Sequence, residues 1–420
     1  MKTNNQLLSL LLLAVVTWSC SSSQNTSNVN FAYMYDPDPA IIRPNFKIFH
    51  LNEKESNFYF GIESSEILYS KIEKDTLSEA NLKIRYKLFE QSDLSTILDS
   101  TTYYMKDTVS KKIEKTLYGN FTIPVDANKK YFLEIRIRDV NRDLNTIEFF
   151  SFVKYQQVDE GNFMLIDSNN LPILNSIVYP NQQVKIVKSP WISNGEYKIE
   201  QYIQPFDLPP PPFADKGLSY ALPNSSDYIQ SIFLKDTTTY SFNSKGLYTI
   251  HGDSLNQLYS ILCMHEGFPQ LKRVEYLIEP TRYISTQTEF DKIKEAVDKK
   301  DAVDNFWLSI SNDFNRAKQI LGEYYKRVES ANRYFTDVQD GWRTDRGLIY
   351  LIYGTPSTIY KGYNYENWVY GEETNMLSLT FKFRRLNSPL SKNTYILERS
   401  QSFKSAWYRA VDNWRQGRVY

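Results

Sequence analysis

The sequence predicts a multidomain, β-rich protein: two immunoglobulin-like β-sandwich modules, then an α+β C-terminal domain with a long helix packed on an antiparallel sheet. Three observations lead there. The chain has 420 residues, more than one hydrophobic core usually supports, which implies about three domains of roughly 100–200 residues each. Aromatic residues make up 15% of it, with 32 Tyr and 24 Phe, and such rings suit the pleated surface of strands. The apolar residues recur with a period of two over most of residues 45–282 and with helical spacing of three or four beyond residue 283.

Residues 1–19 read as a processing signal and not as part of the fold. Lys2 supplies the positive end, residues 7–16 are an apolar run, and Thr17-Trp18-Ser19-Cys20 closes it. The run is shorter than the about 20 apolar residues that a spanning helix needs. A Cys directly after such a run, preceded by the small Ser19, resembles the lipobox of bacterial lipoproteins. The resemblance implies that Cys20 is the lipidated first residue of the mature chain, with cleavage as an ordinary secreted protein as the alternative. Ser21 stands where an Asp would, by analogy, retain the protein at the inner membrane, so the expected address is the outer membrane. Residues 20–44 form the lipidated tether. Its Ser/Asn-rich start is too polar to bury itself and has no acidic cluster, which favours the periplasmic face over the cell surface. With Cys20 carrying lipid, Cys263 has no internal disulfide partner. No cofactor is expected beyond the covalent lipid.

Lys plus Arg and Asp plus Glu balance at 49 each, so no global field draws the protein to nucleic acid. The expected partners are the outer membrane through the anchor, other envelope proteins, and envelope glycan as a candidate ligand of the aromatic surface.

In the first module, residues 45–156, strands are expected at 46–50, 58–62, 82–88, 116–123, 131–137 and 147–155. The clearest alternation is Leu82, Ile84, Tyr86 and Leu88 against Lys83, Arg85 and Lys87. The second, residues 157–282, carries strand patterns at 163–166, 183–187, 197–203, 231–234, 258–264 and 274–278. Residues 208–213, with four successive prolines, read as a stiff exposed connector of polyproline II geometry.

The third, residues 283–420, opens with a helix over 291–298 capped by Thr288. Asp301 restarts it, and apolar residues from Val303 to Phe335 continue at helical spacing as one long element. Gly322 inside that helix costs roughly 1 kcal/mol relative to Ala, which suggests close packing against a neighbour. A wholly apolar run, 348–353, reads as a central strand closed by Gly354-Thr355-Pro356. Strands at 365–370, 377–384 and 394–398 follow. A last helix sets Phe403, Trp407, Val411 and Trp414 on one face and ends at Gly417.

Between the long helix and the apolar run lies Gly341-Trp342-Arg343-Thr344-Asp345-Arg346-Gly347. With Phe306-Trp307, Tyr324-Tyr325-Lys326-Arg327-Val328, Ala331-Asn332, Phe335-Thr336, Gly354-Thr355-Pro356 and Trp368-Val369-Tyr370, this order of motifs resembles the GWxTD-domain family of Bacteroidota lipoproteins over residues 283–420. The resemblance implies an envelope location and carries no reaction. One departure is Asn315-Arg316-Ala317-Lys318, where some members have a Pro and acidic residues.

Trp342, Arg343, Thr344, Asp345 and Arg346 are the candidate structural or partner-binding residues. Turn chemistry accounts for Gly, Thr and Asp there. On that account Asp345 accepts from Arg343, Arg346 or the backbone, Trp342 fills a groove between helix and sheet, and the arginines pair with Glu329 or Glu366. No nucleophile with an evident base accompanies them, so no catalytic residue is assigned. His251, Cys263 and His265 are too few for a convincing metal site. The protein is thus expected to be a non-catalytic scaffold or accessory subunit of an outer-membrane assembly, secretion or transport complex. The alternative is a glycan-binding protein or enzyme acting through the junction.

Overall fold

The computed structural model describes residues 30–37, 41–72, 76–111, 114–156, 158–252, 258–311, 313–362, 364–372, 375 and 378–418. The expected processing signal, residues 1–19, and Cys20 lie outside the described residues. Among those described, no helix is long and apolar enough to cross a membrane.

The chain is β-rich and largely antiparallel, with a C-terminal helical region. Over residues 45–153, one sheet joins Asn45–His50, Glu55–Glu63 and Thr116–Pro124, and a larger one is built on the long strands Ser78–Glu90, Lys130–Asp139 and Leu144–Val153. Ile48, Phe58 and Phe60 from the first sheet and Leu82, Ile84, Leu133 and Ile135 from the second share one core. Strand Asp99–Val109, which pairs with Ser78–Glu90, is absent from the sequence reading because its run of Thr, Ser, Tyr and Asp shows no apolar period.

A second pair of sheets follows, ordered Pro172–Ile173, Phe163–Ile166, Gln183–Lys188, Thr237–Ser241 and Ile177–Val178, Leu258–Cys263, Gly246–His251, Gly195–Tyr202, Tyr228–Leu234. These also enclose a common core. The expected strand at 274–278 is instead helical, Glu275–Ile278 running into a 3-10 turn at Glu279–Tyr283. Five residues are too few to separate the two periods, and here Val274 and Ile278, four apart, face the same core. The prolines are not an exposed connector either: Pro209 and Pro212 are buried, and Leu208 and Phe213 pack on the C-terminal core. Polyproline II geometry leaves its carbonyls without internal partners, and those of Pro210 and Pro212 accept from Arg399 and the Ser400 N–H, each at 3.0 Å.

In the C-terminal domain the first helix is Gln287–Glu295, capped by Thr286 and not Thr288, because Glu289 completes a capping box with Thr286. The long apolar series is two helices, Lys299–Ser311 and Phe314–Phe335. Asp313 breaks it by accepting from the Arg316 N–H at 2.7 Å, starting a new N-terminus, and Phe314 is 70% exposed. From Ala317 to Phe335 the predicted stripe is buried, apart from the half-buried Leu321. Gly322 has open space where a Cβ would stand, so it marks no close contact.

The largest correction falls on residues 348–353, which form the body of a helix, Asp345–Tyr353, and not a strand. A segment buried on all sides has no polar face from which a period can be read. What decides it is at the ends: Thr344 caps one, and Gly354, at φ 78° and ψ −155°, takes a conformation after the other that is open essentially to glycine alone. This helix and Phe314–Phe335 share the core with a meander of Thr358–Lys361, Tyr365–Tyr370, Leu379–Arg385 and Tyr395–Leu397. Helix Lys404–Arg415 buries Trp407 and Trp414 in the same core.

Residues 31–35 of the tether belong to this core as well, while Ile42 is buried in the core of the first β-rich region. Phe31 and Tyr35 are buried in the C-terminal core, and the Phe31 N–H donates to the Ile359 carbonyl at 3.0 Å. Other ties cross between the regions: Lys47 of the first and Lys392 of the third both approach Glu160, each at 3.7 Å.

Candidate functional site

The junction begins where helix Phe314–Phe335 ends, in a single 3-10 turn over Gly341–Arg343. Both of its glycines are required by close approach. A Cβ on Gly341 would stand 2.0 Å from the Ala331 carbonyl oxygen, and one on Gly347 would stand 1.9 Å from that of Gly341. Backbone therefore packs on backbone on both sides of the turn, which no larger residue allows. Thr344 ties it: its hydroxyl donates to the Gly341 carbonyl at 2.8 Å and accepts from the Gly347 N–H at 3.0 Å. Trp342 is buried and meets Tyr283 edge to face at 6.0 Å.

The three charged side chains of the motif point in three directions, and each is buried. Asp345 has no exposed surface; its carboxylate accepts from the Leu397 N–H at 2.8 Å and takes both terminal nitrogens of Arg399. This bidentate pair ties the N-terminus of helix Asp345–Tyr353 to the last strand, and Arg399 carries the tie on to the Pro210 carbonyl. The negative charge also faces the positive end of the helix dipole.

Arg346 stacks 4.1 Å over the Tyr395 ring and donates to the carbonyl and side-chain oxygens of Asn393, both at 2.8 Å. It also pairs with Glu366 at 3.3 Å. Glu366, itself fully buried, accepts from Tyr35 at 2.9 Å and from the Trp368 indole at 3.0 Å, with Lys361 at 3.5 Å. Burial alone would raise the Glu366 carboxyl, but Arg346 and Lys361 outweigh it and hold the group below the ordinary carboxylate range.

Arg343 reaches the other way. It donates to Glu279 at 2.8 Å and to the Phe206 carbonyl at 3.0 Å. It thereby forms one wall of a cleft between the second β-rich region and the helices, with a volume of about 120 Å³. Leu247, Leu262, Met264 and Val338 line its apolar side, and Lys245 and Asp340, 3.5 Å apart, its rim.

Of the pairings expected from sequence, Arg346 with Glu366 is present. Arg343 takes Glu279 instead, while Glu329 accepts from the Leu271 N–H. Asp345 takes Arg399 and a backbone N–H and neither neighbouring arginine. Arg399 and Glu279 are distant in sequence, and no local signal marks them. His251, Cys263 and His265 do not converge. Cys263 pairs with Gly246 and His251 with Leu258, opposite ends of two strands about 17 Å apart at some 3.4 Å per residue. Burial pushes the Cys263 thiol up to about 12, and His265 stacks on Tyr276 at 3.9 Å.

The family model of the GWxTD domain matches residues 246–416. The C-terminal region of this chain is a GWxTD domain. The match includes strands Gly246–His251 and Leu258–Cys263, which complete a sheet of the second β-rich region, so the GWxTD domain and that region share elements. No curated protein matches the chain. Among solved structures, Bacteroides uniformis β-glucuronidase 2 is 10% identical over 26% of this chain and 13% of that one, at a TM-score of 0.18. Red sea bream transglutaminase is 7% identical over 54% and 32%, at 0.19. Salmonella α2-macroglobulin is 10% identical over 56% and 17%, at 0.17. Likenesses this slight carry no argument about fold or function.

Proposed function

We propose that this protein is a non-catalytic, lipid-anchored scaffold or accessory subunit of an outer-membrane protein assembly, secretion or transport complex. The observation that carries the reading is the internal use of the motif: Arg343, Asp345 and Arg346 are 4%, 0% and 2% exposed, and each spends its charge on partners within the chain. A reacting group must meet substrate, and buried, bidentate ion pairs are poor places for that. What such pairs do is fix geometry, here the angles between two helices, the last strand and the proline segment.

The two β-rich regions are read as immunoglobulin-like sandwich modules, 45–156 and 157–282, each with two sheets around one core, followed by an α+β domain over 283–420 that makes up most of the GWxTD match. With Cys20 as the lipidated residue, the ten links to Asn30 span at most about 35 Å. Because residues 30–35 are fixed to the GWxTD domain, that domain is held close to the membrane.

A second reading, an envelope-glycan binder or enzyme, draws on the cleft beside Arg343, which sets apolar side chains against charged ones, although its volume of about 120 Å³ is below the about 300–1,000 Å³ usual for ligand sites. One variant separates the two. Asp345→Asn keeps shape and leaves Arg399 a buried cation without its counter-charge, a loss of about 3–5 kcal/mol. The scaffold reading expects the variant to melt markedly lower and to fail in complementing a deletion strain in proportion to its lost folding. Full thermal stability with lost complementation would sink it and favour the site reading.

A further inference from the structure

Strand Tyr228–Leu234 ends its sheet: it pairs with Gly195–Tyr202 on one side and, among the described residues, with no strand on the other. Half of its backbone N–H and C=O groups therefore face outward. Natural edges are blunted by charge, Pro or a bulge, yet Tyr-Ile-Gln-Ser-Ile-Phe-Leu contains no charged residue and no proline, and its register against Gly195–Tyr202 runs unbroken over seven pairs. Nor is its outer face polar. Ile229 is 53% and Phe233 56% exposed, and they share that face with Ser231 between them. An apolar pair beside an open edge is a surface adapted to another strand.

The order of side chains selects which strand. An antiparallel copy of the same segment, placed with Ser231 on the two-fold axis, sets Ile229 opposite Phe233 of the other copy and Phe233 opposite its Ile229. The four apolar side chains then form one cluster, as an isologous contact requires, with the small Ser231 pair between them. On the neighbouring strand, Glu196, Lys198 and Glu200 lie opposite Phe233, Ser231 and Ile229, so each row across the joined sheet reads acid, apolar, apolar, acid or base, Ser, Ser, base. Like charges are kept two strands from the axis. No other register of this strand on itself pairs both exposed apolar side chains of that face with apolar partners.

We propose that the protein self-associates through the Tyr228–Leu234 edge, the occupant being a second copy of this chain that continues the five-stranded sheet into one of ten. The contact is smaller than the roughly 1,200 Å² of a strong specific interface, so the dimer is reversible and concentration-dependent.

The test uses the purified full chain. Wild type sediments as a dimer at high concentration and a monomer on dilution, while Phe233→Lys, with an unchanged circular dichroism spectrum, remains monomeric throughout. Ser231→Cys reports the register, because directly opposed residues have Cα atoms about 4.5–5.5 Å apart, within disulfide range. Made in a Cys20→Ser background, it forms a reducible dimer on mild oxidation, and the Cys20→Ser parent, whose remaining cysteine Cys263 is buried, does not. Monomeric wild type at the highest attainable concentration overturns the proposal. So does a dimer that survives Phe233→Lys, or a cross-link of the Ser231→Cys variant that appears only when another protein is added, since the edge would then belong to a different partner.

Discussion

Asp337, a few residues before the motif, is a carboxyl that the fold prefers protonated. Its side chain accepts from the Thr394 hydroxyl at 2.9 Å and from the Val338 N–H, yet burial outweighs those bonds and pushes it up to about 6. The unfolded chain ionises near 3.8, so between these values the native state binds more protons than the unfolded one. Stability from this group is therefore present below the unfolded value and lost as pH rises through the folded one. Asn in its place keeps the acceptor for Val338 and never ionises. Asp337→Asn is expected to be more stable than wild type at pH 7 to 8, with the difference vanishing towards pH 4. Urea titrations at both ends measure it; a variant less stable at pH 8 would mean that the charge itself is used. Charged groups were the least legible part of the site in sequence. Arg346 with Glu366 could be guessed, but Arg399 and Glu279 became partners only through contacts that no local pattern encodes.

At the scale of elements, half-buried strands were easy to read because one wet face leaves a period, and the alternations at 82–88 and 131–137 fall inside Ser78–Glu90 and Lys130–Asp139. Helix Asp345–Tyr353 was not, since all of its residues from Asp345 to Ile352 are buried and an apolar run fits either geometry. Its end signals were in the sequence all along: Thr344 as cap, an acid in the first turn, Gly354 after the last. Strand Asp99–Val109 failed in the opposite sense, being too polar on both faces to show a period. The helix also depends on the backbone contact at its first turn. Gly347→Ala places a methyl group against the Gly341 carbonyl, and because that atom is backbone on both sides the turn must open. The expected loss exceeds the about 1–3 kcal/mol typical of overpacking, read as a lower denaturant midpoint. Gly322→Ala is the control: its Cβ meets open space, and it should gain up to roughly 1 kcal/mol from helix propensity.

Across the whole molecule the decisive feature is that residues 30–35 are built into the C-terminal core. Asn30 donates to the Ser357 carbonyl and accepts from the Ile359 N–H, both at 3.0 Å. Tyr35 closes the buried network on Glu366, and its own carbonyl accepts from Tyr350 at 3.1 Å. The helical spacing beyond residue 283 suggested a domain complete in itself, but its core includes two aromatic rings from far earlier in the chain, Phe31 and Tyr35. A fragment of residues 246–420 keeps every α-helix among the described residues and the meander yet lacks those rings. It leaves Glu366 without its hydroxyl donor and opens a cavity beside Phe335 and Trp368, which Tyr35 contacts at 4.8 and 5.4 Å between ring centres. Loss of a buried aromatic side chain costs roughly 3–5 kcal/mol, a large share of the about 5–15 kcal/mol of a typical domain. The fragment should therefore be markedly unstable, and a synthetic peptide of residues 30–37 should restore it by mass action, since it binds only the folded form. The melting temperature is expected to rise with peptide concentration, and a peptide carrying Tyr35→Ala should have little effect. If the fragment melts as high without the peptide as with it, the tether only rests on this domain. If the wild-type peptide alone raises the melting point, the segment that follows the proposed anchor is a structural part of the GWxTD domain, and a pull on the tether is a pull on its core.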